Sequence, residues 1–408
     1  MVNKQKITNS KLTFENQFLD IDEKKYLSVS ADELLSQHLL ITGVTGSGKS
    51  STALTIIERL KKGQQNVIVL DPTGEYQSIP EVHRVVLGDD AFFDISNLSD
   101  LQIAQFLNIT NKYLLDKLPT AIKSLQIQHN IIGQSGVYRK INRQQSEHDR
   151  FLSQLKLSDK YFDLNLLANQ LQEEFILPYA DERADFTLLG QVYDNATIAQ
   201  VWSNLNDLKQ TLQNEQVQSL LTRSNNSKIV HYDIRYLLRL FITRRASKQS
   251  LVVDLSLFSH NKQLNKLIID ILTNLMMSIR ENYPQEFPVV VLIDEAHRYL
   301  TDITNENQGI FSIVREGRKL GLDLILSTQS PMDVPVELIG QFGSLIIHRI
   351  NTKQEIQRLM INEDIAGLIA TLSVGEAYLK TNQKKSLKRI KSVFSEINHD
   401  TSNVSFDL

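Results

Sequence analysis

The residues best placed to do chemistry are a lysine and a serine that close a glycine loop. From Gly43 to Ser50 the chain reads GVTGSGKS, the G-x-x-x-x-G-K-[ST] pattern of a phosphate-binding loop. Gly43, Gly46 and Gly48 allow backbone conformations closed to other residues, so that several N–H groups can point at one centre. Lys49 would reach the β- and γ-phosphates of a nucleotide, and Ser50 would place a hydroxyl on Mg²⁺. The expected nucleotide contacts are Gly43, Thr45, Gly46, Ser47, Gly48, Lys49, Ser50 and Ser51. The other reading of the loop is a glycine-rich turn beside a solvated lysine.

A second group sits far along the chain, in FPVVVLIDEAHRYL (287–300). Its apolar run ends in Asp294-Glu295. Asp294 would hold the Mg²⁺ shell and Glu295 would polarise an attacking water, a division suited to phosphoanhydride hydrolysis. DEAH alone is a weak signal, and the other motifs of DEAH-box helicases are not evident. A third group lies in IVREGRKLGLDLILSTQSP (313–331). Gln329, at the end of its apolar run, would bond the γ-phosphate or the lytic water, or else be an exposed polar cap. Arg315, Arg318 and Lys319 precede that run. They form either a solvated basic face or an arginine finger for a neighbouring subunit; Arg349, in SLIIHRI, is a second finger candidate.

These groups need strands and helices to position them. His38 to Thr42 reads as a buried strand, and from Ser50 onward Ala53, Ile56, Ile57 and Leu60 recur at helical spacing. NVIVLDPTGEY (66–76), HRVVLG (83–88), SLVVDLS (250–256) and LDLILSTQ are further strand candidates. Ligands of a parallel sheet sit at the strands' carboxyl ends, where the polar residues fall. The expected organisation is a short polar segment at 1–37, an α/β core at 38–95, and a helical insertion at 96–249. The core resumes at 250–380, and a C-terminal strand and tail occupy 381–408. The fold class is therefore α/β, a P-loop NTPase core with a mostly parallel sheet and a large helical insertion.

Bulk composition narrows the function classes. The 408 residues are 41% hydrophobic and 22% charged, ordinary for a soluble globular chain. No apolar run reaches the roughly 18 residues of a membrane span, and the N-terminus lacks a signal-peptide stretch. Cysteine is absent, which excludes disulfides and Cys-ligated zinc and points to a reducing cytoplasm. The formal charge of −3 argues against a globally basic nucleic-acid binder, though not against a local basic channel. Two clusters could supply one: Arg235, Arg239, Arg244, Arg245 and Lys248, and KKSLKRIK at 384–391. Each could equally be solvated surface.

Taken together, GVTGSGKS, DPTGEY, LIDEAHRYL, REGRKLGLDLILSTQSP and SVGEAYL (373–379) resemble the HerA/FtsK superfamily of ring-forming, DNA-pumping ATPases, and its HerA branch most closely. The resemblance implies a RecA-like core, ATP and Mg²⁺ as cofactors, a homo-hexamer, and DNA threaded through its centre. It implies Lys49 and Ser50 as Walker A residues, Asp294 and Glu295 as Walker B, Gln329 as sensor, and an arginine finger within REGRK. An effector such as a nuclease is the expected partner, in DNA processing or antiphage defence. HerA proteins usually carry a β-barrel before the P-loop, whereas residues 1–37 alone precede His38 here; a compact defence-type or mobile-element homologue is expected. The rival functions are a regulatory or scaffold NTPase and a conjugation-type secretion ATPase, the latter disfavoured because nothing anchors the chain to a membrane.

Overall fold

In the computed structural model the chain is described over residues 12–223, 230–245, 250–300, 309–383 and 386–393. Lys248, Lys384, Lys385 and the tail from 394 lie outside the described residues. The chain forms two compact units. One comprises Met1–Leu87 and Arg235–Leu408, the other Gly88–Ile234.

The first unit opens with β1 (Phe18–Asp20), β2 (Lys25–Leu27), β3 (Leu39–Thr42), β4 (Asn66–Asp71) and β5 (Val82–Val86). The second unit holds four two-residue strands, β6 (Ala91–Phe92), β7 (Ile176–Leu177), β8 (Val192–Tyr193) and β9 (Tyr232–Asp233). The chain then returns to the first unit for β10 (Ser250–Asp254), β11 (Val289–Ile293), β12 (Leu322–Thr328), β13 (Ser344–Ile347), β14 (Glu376–Lys380) and β15 (Lys388–Ser392).

One 11-stranded sheet organises the first unit, in the order β2-β1-β15-β14-β13-β3-β12-β11-β4-β10-β5. From β13 to β5 every neighbouring pair is parallel, and from β13 to β2 every pair is antiparallel. The inner parallel strands are covered on both faces, which is why they read as largely apolar runs. Every residue of β3, β4, β10 and β11 is buried. The helix Lys49–Lys62 turns Ala53, Leu54, Ile56, Ile57 and Leu60 into this core, and carries Arg59, Lys61 and Lys62 where its dipole is negative. Because β3 lies between β12 and β13, the loop after β3 opens where the strand order changes direction, the place a parallel sheet offers a ligand.

The second unit is mainly helical. Its longest helices, Lys112–Gln126 and Asn195–Gln213, bury Leu114, Leu118, Ala121, Ile122 and Leu125, and Ile198, Val201, Leu205, Leu208 and Leu212. That spacing of three and four is the stripe a half-buried helix needs. Under this core Glu174 accepts hydrogen bonds from Ser124 (2.8 Å) and Gln170 (3.0 Å) and pairs with Lys140.

Candidate functional site

The loop between β3 and the helix Lys49–Lys62 is shaped by its glycines. Gly46 has φ +74°, with open space where a side chain would stand. Gly48 has φ +104° and is the helix N-cap, and no side chain caps the first turn. The first-turn N–H groups of a helix have no partner within it, so this end is left for an anion from outside. Lys49 is buried at 5% exposure and donates to the Val44 carbonyl at 3.2 Å. It forms no ion pair among the described residues. Burial lowers its ammonium below the ordinary lysine value, while Glu295, Asp294 and Glu75 pull it back up.

Adjacent strands bring the acidic residues to the same end. Asp294 follows β11 directly and is buried; it accepts the Tyr76 hydroxyl at 2.7 Å and the Glu295 N–H at 2.8 Å. Tyr76 is delivered by the turn after β4. There Asp71 accepts N–H groups of Thr73 (3.2 Å), Gly74 (2.8 Å) and Tyr76 (2.9 Å), which folds DPTGEY into a tight loop. Burial raises the Asp71 carboxyl, and those donors work against the rise.

Glu295 adopts φ +52°, a left-handed conformation that costs a side-chain-bearing residue about 1–2 kcal/mol. Its carboxylate accepts Nε2 of Gln329 at 2.8 Å, and Nδ1 of His297 lies 2.9 Å away. Burial would raise this carboxyl, but His297, Gln329 and Lys49 outweigh it and hold the group below its ordinary value. Gln329 stands one residue beyond β12. The structure thus joins three groups that the sequence keeps apart: Lys49 after β3, Asp294-Glu295 after β11 and Gln329 after β12.

The arginines lie elsewhere. Arg315 lies in the last turn of the helix Gly309–Glu316 and Arg318 follows it, both exposed and both before β12 begins. The seven residues of β12 separate them from Gln329, roughly 20 Å of strand. Within one chain they do not join the cluster. Arg349 does lie beside the loop, half-buried, and its carbonyl accepts the Val44 N–H at 2.9 Å. Of the basic clusters, Arg239, Arg244 and Arg245 are exposed, with Arg239 4.7 Å over the Tyr283 ring. In the second cluster Lys388 pairs with Asp20 and Glu23, and Arg389 with Glu376, so that part is neutralised.

The sequence of the family described as "Helicase HerA, central domain" matches residues 21–275, more than half the chain. The chain belongs to the HerA family. A HerA relative, the DNA double-strand break repair helicase HerA of Sulfurisphaera tokodaii, is 24% identical over 369 residues, which cover 85% of this chain and 63% of that protein. The chain thus spans less than two thirds of that relative's length. Two solved structures share the fold. VirB4 of Thermoanaerobacter pseudethanolicus superposes with a TM-score of 0.58 at 14% identity, over 95% of this chain and 97% of that one. The plasmid coupling protein TrwB in complex with ADP and Mg²⁺ gives 0.54 at 13% identity, over 91% and 88%. This HerA-family chain therefore shares the fold of those two proteins, and it carries the phosphate-binding-loop pattern in the loop after β3.

The residues present fit ATP and Mg²⁺. A helix start without a side-chain cap and a buried ammonium without a carboxylate partner suit phosphates. Ser50 and Asp294 offer oxygen donors, which Mg²⁺ requires, and a carboxylate with two bonds in place still has lone pairs to give. Sequence reasoning overlooked Tyr76, His297, and the buried His348 behind the P-loop as individual residues. DPTGEY and the DEAH segment stood out as strings, but nothing in them says which side chain meets which.

Proposed function

We propose that this chain hydrolyses ATP with Mg²⁺ and couples the reaction to movement along DNA, as a homo-hexameric HerA-type translocase or helicase. The observation that carries the reading is the contact between Glu295 and Gln329, made at the carboxyl ends of neighbouring parallel strands next to the P-loop. In it Lys49 would neutralise the β- and γ-phosphates, Ser50 and Asp294 would hold Mg²⁺, and Glu295 would orient and deprotonate the attacking water. Bound Mg²⁺ would supply charge neutralisation on the phosphoryl group being transferred. Gln329, tied to Glu295, reports the state of the γ-phosphate to β12. Gly43, Thr45, Gly46, Ser47, Gly48 and Ser51 complete the nucleotide contacts.

Arg315 and Arg318, remote from their own chain's P-loop, suit an arginine finger acting on a neighbour in the ring, a contribution of roughly 10³–10⁵ in rate. The DNA assignment draws on the HerA relative, named a DNA double-strand break repair helicase. An effector such as a nuclease, a role in DNA processing or antiphage defence, and a cytoplasmic location complete the proposal. Among the described residues no helix is long and apolar enough to cross a membrane.

The test is ATP hydrolysis with and without duplex DNA across a salt series. Turnover should rise with DNA. With about six to ten phosphates neutralised, DNA affinity should fall roughly 10³–10⁵ between about 50 and 200 mM salt. Turnover indifferent to DNA would favour a scaffold NTPase, and no turnover at all would remove the enzyme.

A further inference from the structure

Behind the P-loop lies a line of buried polar groups that the reaction itself does not use. Thr52, in the first turn of the P-loop helix, has its hydroxyl 3.1 Å from Nε2 of His348 and 2.7 Å from the Ser392 hydroxyl. Nδ1 of His348 is 3.0 Å from the Glu376 carbonyl. All three side chains are buried. A carbonyl can only accept, so Nδ1 carries the ring proton and Nε2 accepts from Thr52. With the Thr52 proton committed, Ser392 must donate to Thr52. Every proton has one place, and the chain of donors runs Ser392, Thr52, His348, Glu376. Burial, and then the charge of Lys49, hold the imidazole down to about 4, which keeps it neutral and the order intact near neutral pH.

The same residues touch the loop backbone. A side chain on Gly43 would stand 2.6 Å from His348 Cβ, and one on Gly48 would stand 2.8 Å from the Gly375 nitrogen. Gly375 donates its N–H to the Ser47 carbonyl (3.0 Å), and Ser392 donates its own to the Gly375 carbonyl (3.0 Å). Thr55, one turn on from Ser51, bonds the Val393 carbonyl at 3.2 Å. The P-loop is therefore clasped from behind by β14 and β15, at positions around 340 residues distant in sequence.

We propose that His348 is a positioning residue for the P-loop, and that β14 and β15 act through it as a brace that sets where the loop N–H groups and Lys49 meet the phosphates. The inference rests on the ATPase reading. It predicts that the brace governs turnover more than affinity, since a misplacement of about 1 Å can cost on the order of 10²-fold in rate while leaving most binding contacts in place.

The experiment compares Thr52→Val, Thr52→Ser and His348→Asn with the wild type in three measurements. Thr52→Val keeps the volume and loses the hydroxyl; Thr52→Ser keeps the hydroxyl. In the nucleotide-free protein, hydrogen exchange at the Val44 and Gly375 amides should accelerate at least about tenfold in Thr52→Val and His348→Asn, with the β4 amides unchanged. A fluorescent ADP analogue should bind with a Kd within about threefold of wild type, and kcat should fall about 10–100-fold. Thr52→Ser should match the wild type in all three. The inference is overturned if Thr52→Val exchanges and turns over like the wild type, if Thr52→Ser is as impaired as Thr52→Val, or if exchange rises throughout the sheet. A wild-type protein that binds no nucleotide or shows no turnover would instead overturn the ATPase reading.

Discussion

Lys49 and Lys140 are both buried, one in each unit, at 5% and 8% exposure, and they are held in opposite ways. Lys140 in the helical unit meets the Glu174 carboxylate, which is further satisfied by Ser124 and Gln170. Gln170 in turn holds the Tyr138 N–H at 2.7 Å and its carbonyl at 3.1 Å. That network is closed. Lys49 has a single carbonyl for a partner, at 3.2 Å, and burial works against its charge. A buried charge without a counter-charge is costly to keep, and it persists where a ligand supplies the missing partner. One lysine is thus held by the fold, and the other is left open for the nucleotide that the proposed function assigns to it.

The sharpest way to break this contrast is to remove Lys49. Lys49→Ala should lose ATP hydrolysis to below detection, because it removes the ammonium buried within the loop itself, as a phosphate-release assay would show. Its companion Glu295→Gln should bind ATP and turn it over about 10²–10⁴-fold more slowly, the usual contribution of a positioned general base. Wild-type turnover in Glu295→Gln would remove that residue from the reaction.

Lys140→Met addresses the other side of the comparison. It leaves Glu174 charged and buried without its partner, and should destabilise the protein by about 3–5 kcal/mol in denaturant titrations followed by circular dichroism. A loss under about 1 kcal/mol would mean that the pair is no more than a surface salt bridge.

The smallest expected effect is a pH slope. Burial lowers both His38 and His348 from 6.5 to about 4. Between about pH 4 and 6.5 the unfolded chain binds protons that the folded chain refuses. Stability from these two residues is therefore complete above pH 6.5 and is lost as pH falls toward 4, by up to about 1.4 kcal/mol per pH unit for each. His38→Gln should lower the slope in that window by up to about 1.4 kcal/mol per pH unit, measured as unfolding free energy at several pH values.

Much of the site was legible in the sequence because parallel strands are apolar along their whole length and end abruptly. GVTGSGKS, DEAH and the STQ after LDLIL each sit at such an end, and the sheet order then makes them neighbours. What could not be read was pairing across distance. Tyr76 and Asp294 are 218 positions apart, Thr52 and His348 296, and neither contact leaves a periodic trace. The limits of the helical block were hard to place for a related reason. Helical spacing suggested 96–249, whereas the compact unit runs from Gly88 to Ile234. Its ends are joined by the parallel pair β6 and β9, whose two residues each are too short to show alternation. The antiparallel strands β14 and β15, five residues each, carry charged residues among the apolar ones, so SVGEAYL was visible as a string and its place against the loop after β3 was not.

The most direct test of the account is the unfolding free energy of the wild type and Lys49→Ala, each with and without ATP and Mg²⁺. Without nucleotide, Lys49→Ala should be at least as stable as the wild type, since it relieves a buried, unpaired charge. With ATP at about 100 times its Kd the wild type should gain roughly 2.7 kcal/mol and the variant far less. The account is contradicted if nucleotide leaves the wild type unchanged, or if Lys49→Ala is strongly destabilised on its own, as a lysine that serves the fold would be.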